Sequence, residues 1–239
     1  MATKQYVVVS GASGTLGTAV CETLIAHGFH PVVMARNNEA LETLAQGHAG
    51  NMTTYACDVS NATAVAQLFQ QPFWQNDGML CGVVACAGIL QMDATDRFAD
   101  ADWDATIQTN LSGTFYLFKY AIPLMRKNGG SLIAIGSRWA DGAATAAAYA
   151  ASKAGLRGLI AAMQKEWAGS TIRPVLISPG SIASPMSSSV NDSTGGLDVL
   201  KPEDVADTIL HVLMSPQRVI FGEIKLLAYN YDLADRHAT

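Results

Sequence analysis

Charge is scarce in this sequence. Lys, Arg, Asp and Glu together make up 15% of its 239 residues, against about a quarter in an ordinary soluble domain. Apolar residues make up 49%, which excludes intrinsic disorder, a state of few apolar residues and high net charge. The thin charge also leaves surface for contact with another copy. A basic excess is missing too. The net charge is −5, so there is no global footprint for nucleic acid. No apolar run reaches the length of a membrane span. The opening MATKQYVVVSGASG has too short an apolar run for a signal peptide. The four cysteines (Cys21, Cys57, Cys81, Cys86) show no CxxC spacing and read as reduced thiols of a cytoplasmic protein. The five histidines are scattered, and no metal site is expected. The acidic run Asp93, Asp96, Asp100, Asp102 and Asp104 reads as a solvated loop and a helix start.

What is present is alternation. Short apolar runs at Gln5–Ser10, Pro31–Ala35, Met52–Cys57, Gly82–Cys86, Ser131–Gly136, Arg173–Ser178 and Ile220–Ala228 read as strands. Helical patterns fall between them, including two long ones at Trp103–Lys127 and Tyr149–Trp167. Continuous apolar strands interleaved with helices predict a parallel sheet covered on both faces. No composition break divides the chain, so one domain over residues 1–239 is expected. The polar patch Ser184–Gly196 reads as a loop or a lid.

The first strand ends in Ser10-Gly11-Ala12-Ser13-Gly14-Thr15-Leu16-Gly17, just before a helix. Glycines there allow a tight turn and close approach of a pyrophosphate, and the helix N-terminus supplies free N–H groups. The alternative is a merely structural turn. An acidic residue at the end of the second strand would read a ribose 2′-hydroxyl. This chain has Arg36 instead, which suits a 2′-phosphate. NADP(H) is therefore expected over NAD(H), unless Arg36 is a plain surface residue. Tyr149 and Lys153 stand four apart on one helix face. A tyrosine titrates near 10, and a nearby ammonium favours its phenolate.

Taken in order, the Gly turn, Ala85-Cys86-Ala87-Gly88, Asn110, Ser137, the Tyr149/Lys153 pair and Pro179-Gly180 resemble the short-chain dehydrogenase/reductase family, classical type, over nearly the whole chain. The resemblance implies a Rossmann-type, doubly wound α/β domain of about seven strands. It implies hydride transfer between nicotinamide and a small carbonyl or secondary alcohol. Tyr149 would be the general acid/base, Ser137 would orient the carbonyl oxygen, and Lys153 would bind the ribose and lower the tyrosine pKa. Asn110 would hold a relay water. Gly11, Ser13, Gly14, Thr15, Leu16, Gly17, Arg36, Asp58, Val59, Ala87, Gly88, Pro179, Gly180, Ile182 and Ser184 would line the cofactor site. Leu90, Arg138, Trp139 and Met186 would border the substrate. The family pairs its two long helices across a two-fold axis. A homodimer or homotetramer is therefore implied, with Phe115, Phe118, Ala161, Ala162 and Trp167 either at the interface or in the core. Three features depart from the pattern: Thr15 in place of the middle glycine, Ala85 in place of an asparagine, and a C-terminal segment without Asp-Gly-Gly. Two alternatives stay open: a non-catalytic NADP-binding protein, and a same-fold enzyme acting on an imine, an enone or a sugar nucleotide.

Overall fold

The computed structural model describes residues 4–48, 50–76, 78–187 and 199–229. Most of the Ser184–Gly196 patch lies outside them. The elements run β1 (Lys4–Ser10), α1 (Thr15–Ala26), β2 (His30–Ala35), α2 (Asn38–Gln46), β3 (Thr53–Ala56), α3 (Ala62–Leu68), α4 (Phe73–Asn76) and β4 (Gly78–Ala85). They continue with α5 (Asp100–Ile107), α6 (Gly113–Met125), β5 (Gly130–Ile135), α7 (Ala147–Glu166), β6 (Ile172–Pro179), α8 (Pro202–Met214) and β7 (Glu223–Leu226). The strands form one sheet in the order β3-β2-β1-β4-β5-β6-β7, and every pair is parallel. This is the doubly wound, Rossmann-type α/β fold.

The inner strands are mostly apolar because helices cover both of their faces. Along β1, Tyr6 and Val8 enter one core, with Leu117 and Phe118 of α6 and Leu156 and Ile160 of α7. Val7 and Val9 enter the other, with Leu24 of α1, Leu41 of α2 and Ile209 of α8. Each fully buried side chain of this kind is worth about 1.5–3 kcal/mol. The edge strand β3 alternates half-buried and exposed residues, because only one of its faces is covered. From β1 the chain winds outward to β3, then returns to lay β4 on the other side of β1. Such a reversal opens a crevice at the carboxyl ends of the two strands.

Two details differ from the sequence reading, and one alternative it left open is decided. The stretch expected as one helix over Trp103–Lys127 is α5 and α6 joined by a wider π-type turn, Gln108–Ser112. Phe118, a candidate for an interface, is wholly buried and belongs to the core. The short helix α4 was not expected. It lays Trp74 and Phe73 against Tyr6, with ring centroids 5.5 and 5.7 Å apart, and the Trp74 indole N–H donates to the Leu68 carbonyl at 2.7 Å.

Candidate active site

The crevice is a cleft of about 540 Å3 whose lining includes the glycine turn, the loop after β4, the end of β5, the start of α7 and the loop after β6. At its β1 edge Gly11 has φ +65, a left-handed conformation that suits glycine. A Cβ there would lie 2.8 Å from the Ala87 backbone, so this position also permits the loop after β4 to approach. Gly17 packs the first turn of α1 onto the turn backbone. A Cβ at Gly17 would meet Ala12 Cα at 2.7 Å. Gly14 is the N-cap of α1 and offers no side-chain cap. The first N–H groups of the helix thus keep their capacity for an anion, and a pyrophosphate fits this cradle. The Ser10 hydroxyl, where the family's usual motif has threonine, accepts from the Ala87 N–H at 3.2 Å and ties the two loops together.

At one end of the lining stand Arg36, Asp58 and Val59. Arg36 directly follows β2 and is exposed. Asp58 accepts from the Ser60 N–H and hydroxyl through one carboxylate oxygen, at 2.9 and 2.7 Å.

Deeper in the cleft, α7 carries Tyr149 and Lys153 on one face. Lys153 is buried, and its ammonium donates to the Ile135 carbonyl at 2.7 Å. The same nitrogen lies 5.4 Å from the centroid of the Tyr149 ring. Burial pulls Lys153 down to about 8. Beside it, burial pushes the Cys86 thiol up to about 12, so Cys86 is a neutral neighbour where Lys153 titrates. Tyr149 is raised above the usual phenol range by burial, and a hydrogen bond with Ser137 works the other way. Near neutral pH the phenol keeps its proton. Ser137 lies two residues past the end of β5 and accepts from the Trp139 N–H at 3.1 Å. The Trp139 ring meets Tyr149 edge-on at 6.1 Å.

Asn110 lies behind this group rather than in the cleft lining. It is fully buried in the π-type turn. Its side chain accepts from the Ile89 N–H at 2.8 Å and donates to the Ile89 carbonyl and the Ser152 hydroxyl, both at 3.0 Å. Ile89 and Ser152 were not singled out in the sequence, since neither carries a chemistry-bearing side chain in a motif. Cys86, Thr109 and Ile135 also line the cleft unannounced. Ala87, Gly88, Pro179, Gly180, Ile182 and Ser184 line it as expected in position, as do Leu90, Arg138, Trp139 and Met186.

The short chain dehydrogenase pattern matches residues 5–195 of this chain. The chain belongs to that family. Carbonyl reductase family member 4 of Danio rerio is 32% identical over 227 residues, covering 92% of this chain and 94% of its own. Among solved structures, a short-chain dehydrogenase/reductase from Brucella melitensis superposes with a TM-score of 0.86 at 28% identity, over 97% of this chain and 99% of that one. A serine dehydrogenase complexed with NADP+ superposes with a TM-score of 0.87 at 24% identity, over 93% and 94% of the two chains. That last likeness speaks to the fold alone.

This short-chain dehydrogenase is therefore an NAD(P)-dependent oxidoreductase. The family's departures from pattern can now be placed in it. Thr15 opens α1 at the cleft, where its backbone N–H is as free as a glycine's would be. Ala85 is the last residue of β4 and only 4% exposed, packed among apolar neighbours that an asparagine would disturb. Among the described residues, no helix is long and apolar enough to cross a membrane.

Proposed function

We propose that this enzyme reduces a small carbonyl compound with NADPH, or oxidises the corresponding alcohol, as one catalytic domain over residues 1–239. The observation that carries the reading is the Tyr149 hydroxyl. It stands half-buried in the cleft lining with Ser137, and burial raises it above the usual phenol range. A proton donor so placed suits the step in which a carbonyl oxygen gains charge.

The residues fit the nicotinamide dinucleotide end to end. Gly11–Gly17 and the α1 N-terminus would hold the pyrophosphate, and Asp58 and Val59 the adenine. Pro179, Gly180, Ile182 and Ser184 would border the nicotinamide ring, with Ala87 and Gly88 along the channel. Arg36 would pair with a 2′-phosphate, since it stands where an acidic residue after β2 would read a 2′-hydroxyl instead. Bound there, the reduced nicotinamide supplies the hydride. Ser137 orients the carbonyl oxygen, and Tyr149 gives it the proton. Lys153 holds the ribose hydroxyls. A relay through a water near Asn110 returns the proton to Lys153 and Tyr149.

Trp103 and Phe115 on α5 and α6 are 42% and 43% exposed, and Ala161 and Ala162 lie exposed on α7. These surfaces suit pairing of the long helices in a homodimer or homotetramer. The four cysteines are unpaired, which suits the reducing cytoplasm. The test is a fluorescence titration with NADPH and with NADH, followed by a carbonyl panel with the tighter cofactor. NADPH binding at least tenfold tighter, about 1.4 kcal/mol, and turnover of a ketone or aldehyde support the reading. Binding of neither cofactor defeats it.

A further inference from the structure

The cleft holds few charges, and they are unevenly placed. Arg36 and Asp58 sit where the adenosine half of the cofactor would lie, and Lys153 is buried beside Tyr149. The lining also includes Leu90, Trp139 and Met186 with Ser184 and Ser187, and its remaining charged side chain among the described residues is Arg138. Arg138 is half-buried and follows Ser137, the residue that would orient the reacting oxygen.

Nearby carboxylates do not neutralise it. Asp141, on the same short turn (Arg138–Asp141), bonds to Arg157 at 2.7 Å. Glu223 bonds to Arg157 at 3.2 Å and accepts from the Ser178 hydroxyl at 2.6 Å. Both acids are thus committed to α7 and β6, and no ion pair among the described residues includes Arg138. A half-buried cation without an ion-pair partner among the described residues, in a cleft lined by hydroxyl and apolar side chains, is a place for an anion. One guanidinium balances one negative charge, which fits a carboxylate better than a phosphate.

Resting on the carbonyl reductase reading, we infer that the substrate is a short oxo acid. Its carboxylate is held by Arg138, its apolar body lies against Trp139, and its carbonyl faces Ser137 and Tyr149.

The test uses the NADPH complex and matched pairs: pyruvate, acetoacetate and laevulinate, each beside its methyl ester. For at least one pair, kcat/KM for the acid should exceed that for the ester tenfold or more. In Arg138→Gln the ratio should fall to near one, and Arg138→Lys should keep part of the preference. NADPH titration of each variant checks that it is folded. A separate binding measurement uses malonate, which the enzyme cannot reduce. Its affinity for the NADPH complex should drop at least tenfold in Arg138→Gln. Equal use of acid and ester, or an acid preference that survives Arg138→Gln, overturns the inference and leaves the carbonyl reductase reading standing. Arg138-dependent malonate binding without turnover of any pair supports the anion site and overturns the carbonyl reading. No malonate binding and no turnover overturns both.

Discussion

The Asn110 side chain and the Ile89 backbone bond in both directions: the amide oxygen accepts from the Ile89 N–H at 2.8 Å, and the amide nitrogen donates to the Ile89 carbonyl at 3.0 Å. Its second N–H reaches Ser152, next to Lys153. One buried amide therefore fixes the loop after β4 against the helix that carries Tyr149. An apolar replacement would strip partners from the half-buried Ile89 N–H and carbonyl, each costing about 1–3 kcal/mol, while the Ser152 hydroxyl would keep its bond to the Tyr149 carbonyl. Asn110→Leu should lose at least about 2 kcal/mol in urea unfolding. It should also weaken NADPH binding, because Ala87 and Gly88 precede the released loop. An unfolding midpoint within error of the parent would refute this role.

Tyr149→Phe keeps the ring that meets Trp139 and removes only the hydroxyl. Positioned proton transfer contributes about a hundredfold to ten-thousandfold. Carbonyl reduction should therefore fall by at least a hundredfold, while the NADPH dissociation constant stays within about threefold. Substantial turnover by this variant would remove Tyr149 from the proton step.

The parallel sheet covered on both faces follows from features the sequence displays locally, apolar strands between helices, while the strand order came with the family resemblance. Tyr149 and Lys153 share a helix face as their spacing suggests, whereas Ser137 was placed with them by the family resemblance. What escaped detection depends on long-range packing. The π-type turn at Gln108–Ser112 has no residue signature, yet it decides where Asn110 points. Helix α4 is four residues long, too short for a period to register. How far Tyr149 and Lys153 are buried also depends on the fold. No spacing reports burial, and the Lys153 ammonium is turned to the Ile135 carbonyl.

Arg36 stands exposed at the end of β2, in the cleft lining. Arg36→Asp would exchange a 2′-phosphate partner for a 2′-hydroxyl partner and repel the phosphate. The ratio of kcat/KM for NADPH over NADH should fall by tenfold or more, about 1.4 kcal/mol. If the ratio does not move, something other than Arg36 selects the cofactor.

Lys153 sets a cost that pH can reveal. Burial lowers it from 10.5 to about 8, so the folded protein favours its neutral form. Below about pH 8 the lysine is charged in both folded and unfolded chains, and the burial cost is fully present. Between about 8 and 10.5 the unfolded chain holds more protons, and this site's contribution to stability rises with pH. Lys153→Met removes the buried charge. At pH 7 the variant should be more stable than the parent by up to about 3 kcal/mol, less whatever is lost when the Ile135 carbonyl gives up its partner. That advantage should shrink as pH rises toward 10. Comparing the two proteins at each pH cancels the opposing cysteines, whose raised values remove stability above their ordinary 9. The variant should also bind NADPH more weakly at pH 7, and the parent's own affinity should decline through about pH 8 as its ammonium is lost. Urea unfolding at pH 7 and pH 10, with NADPH titrations across the same range, measures all three. A variant less stable than the parent at pH 7, or one whose advantage grows with pH, would show that the Lys153 charge is not the strained element of this site.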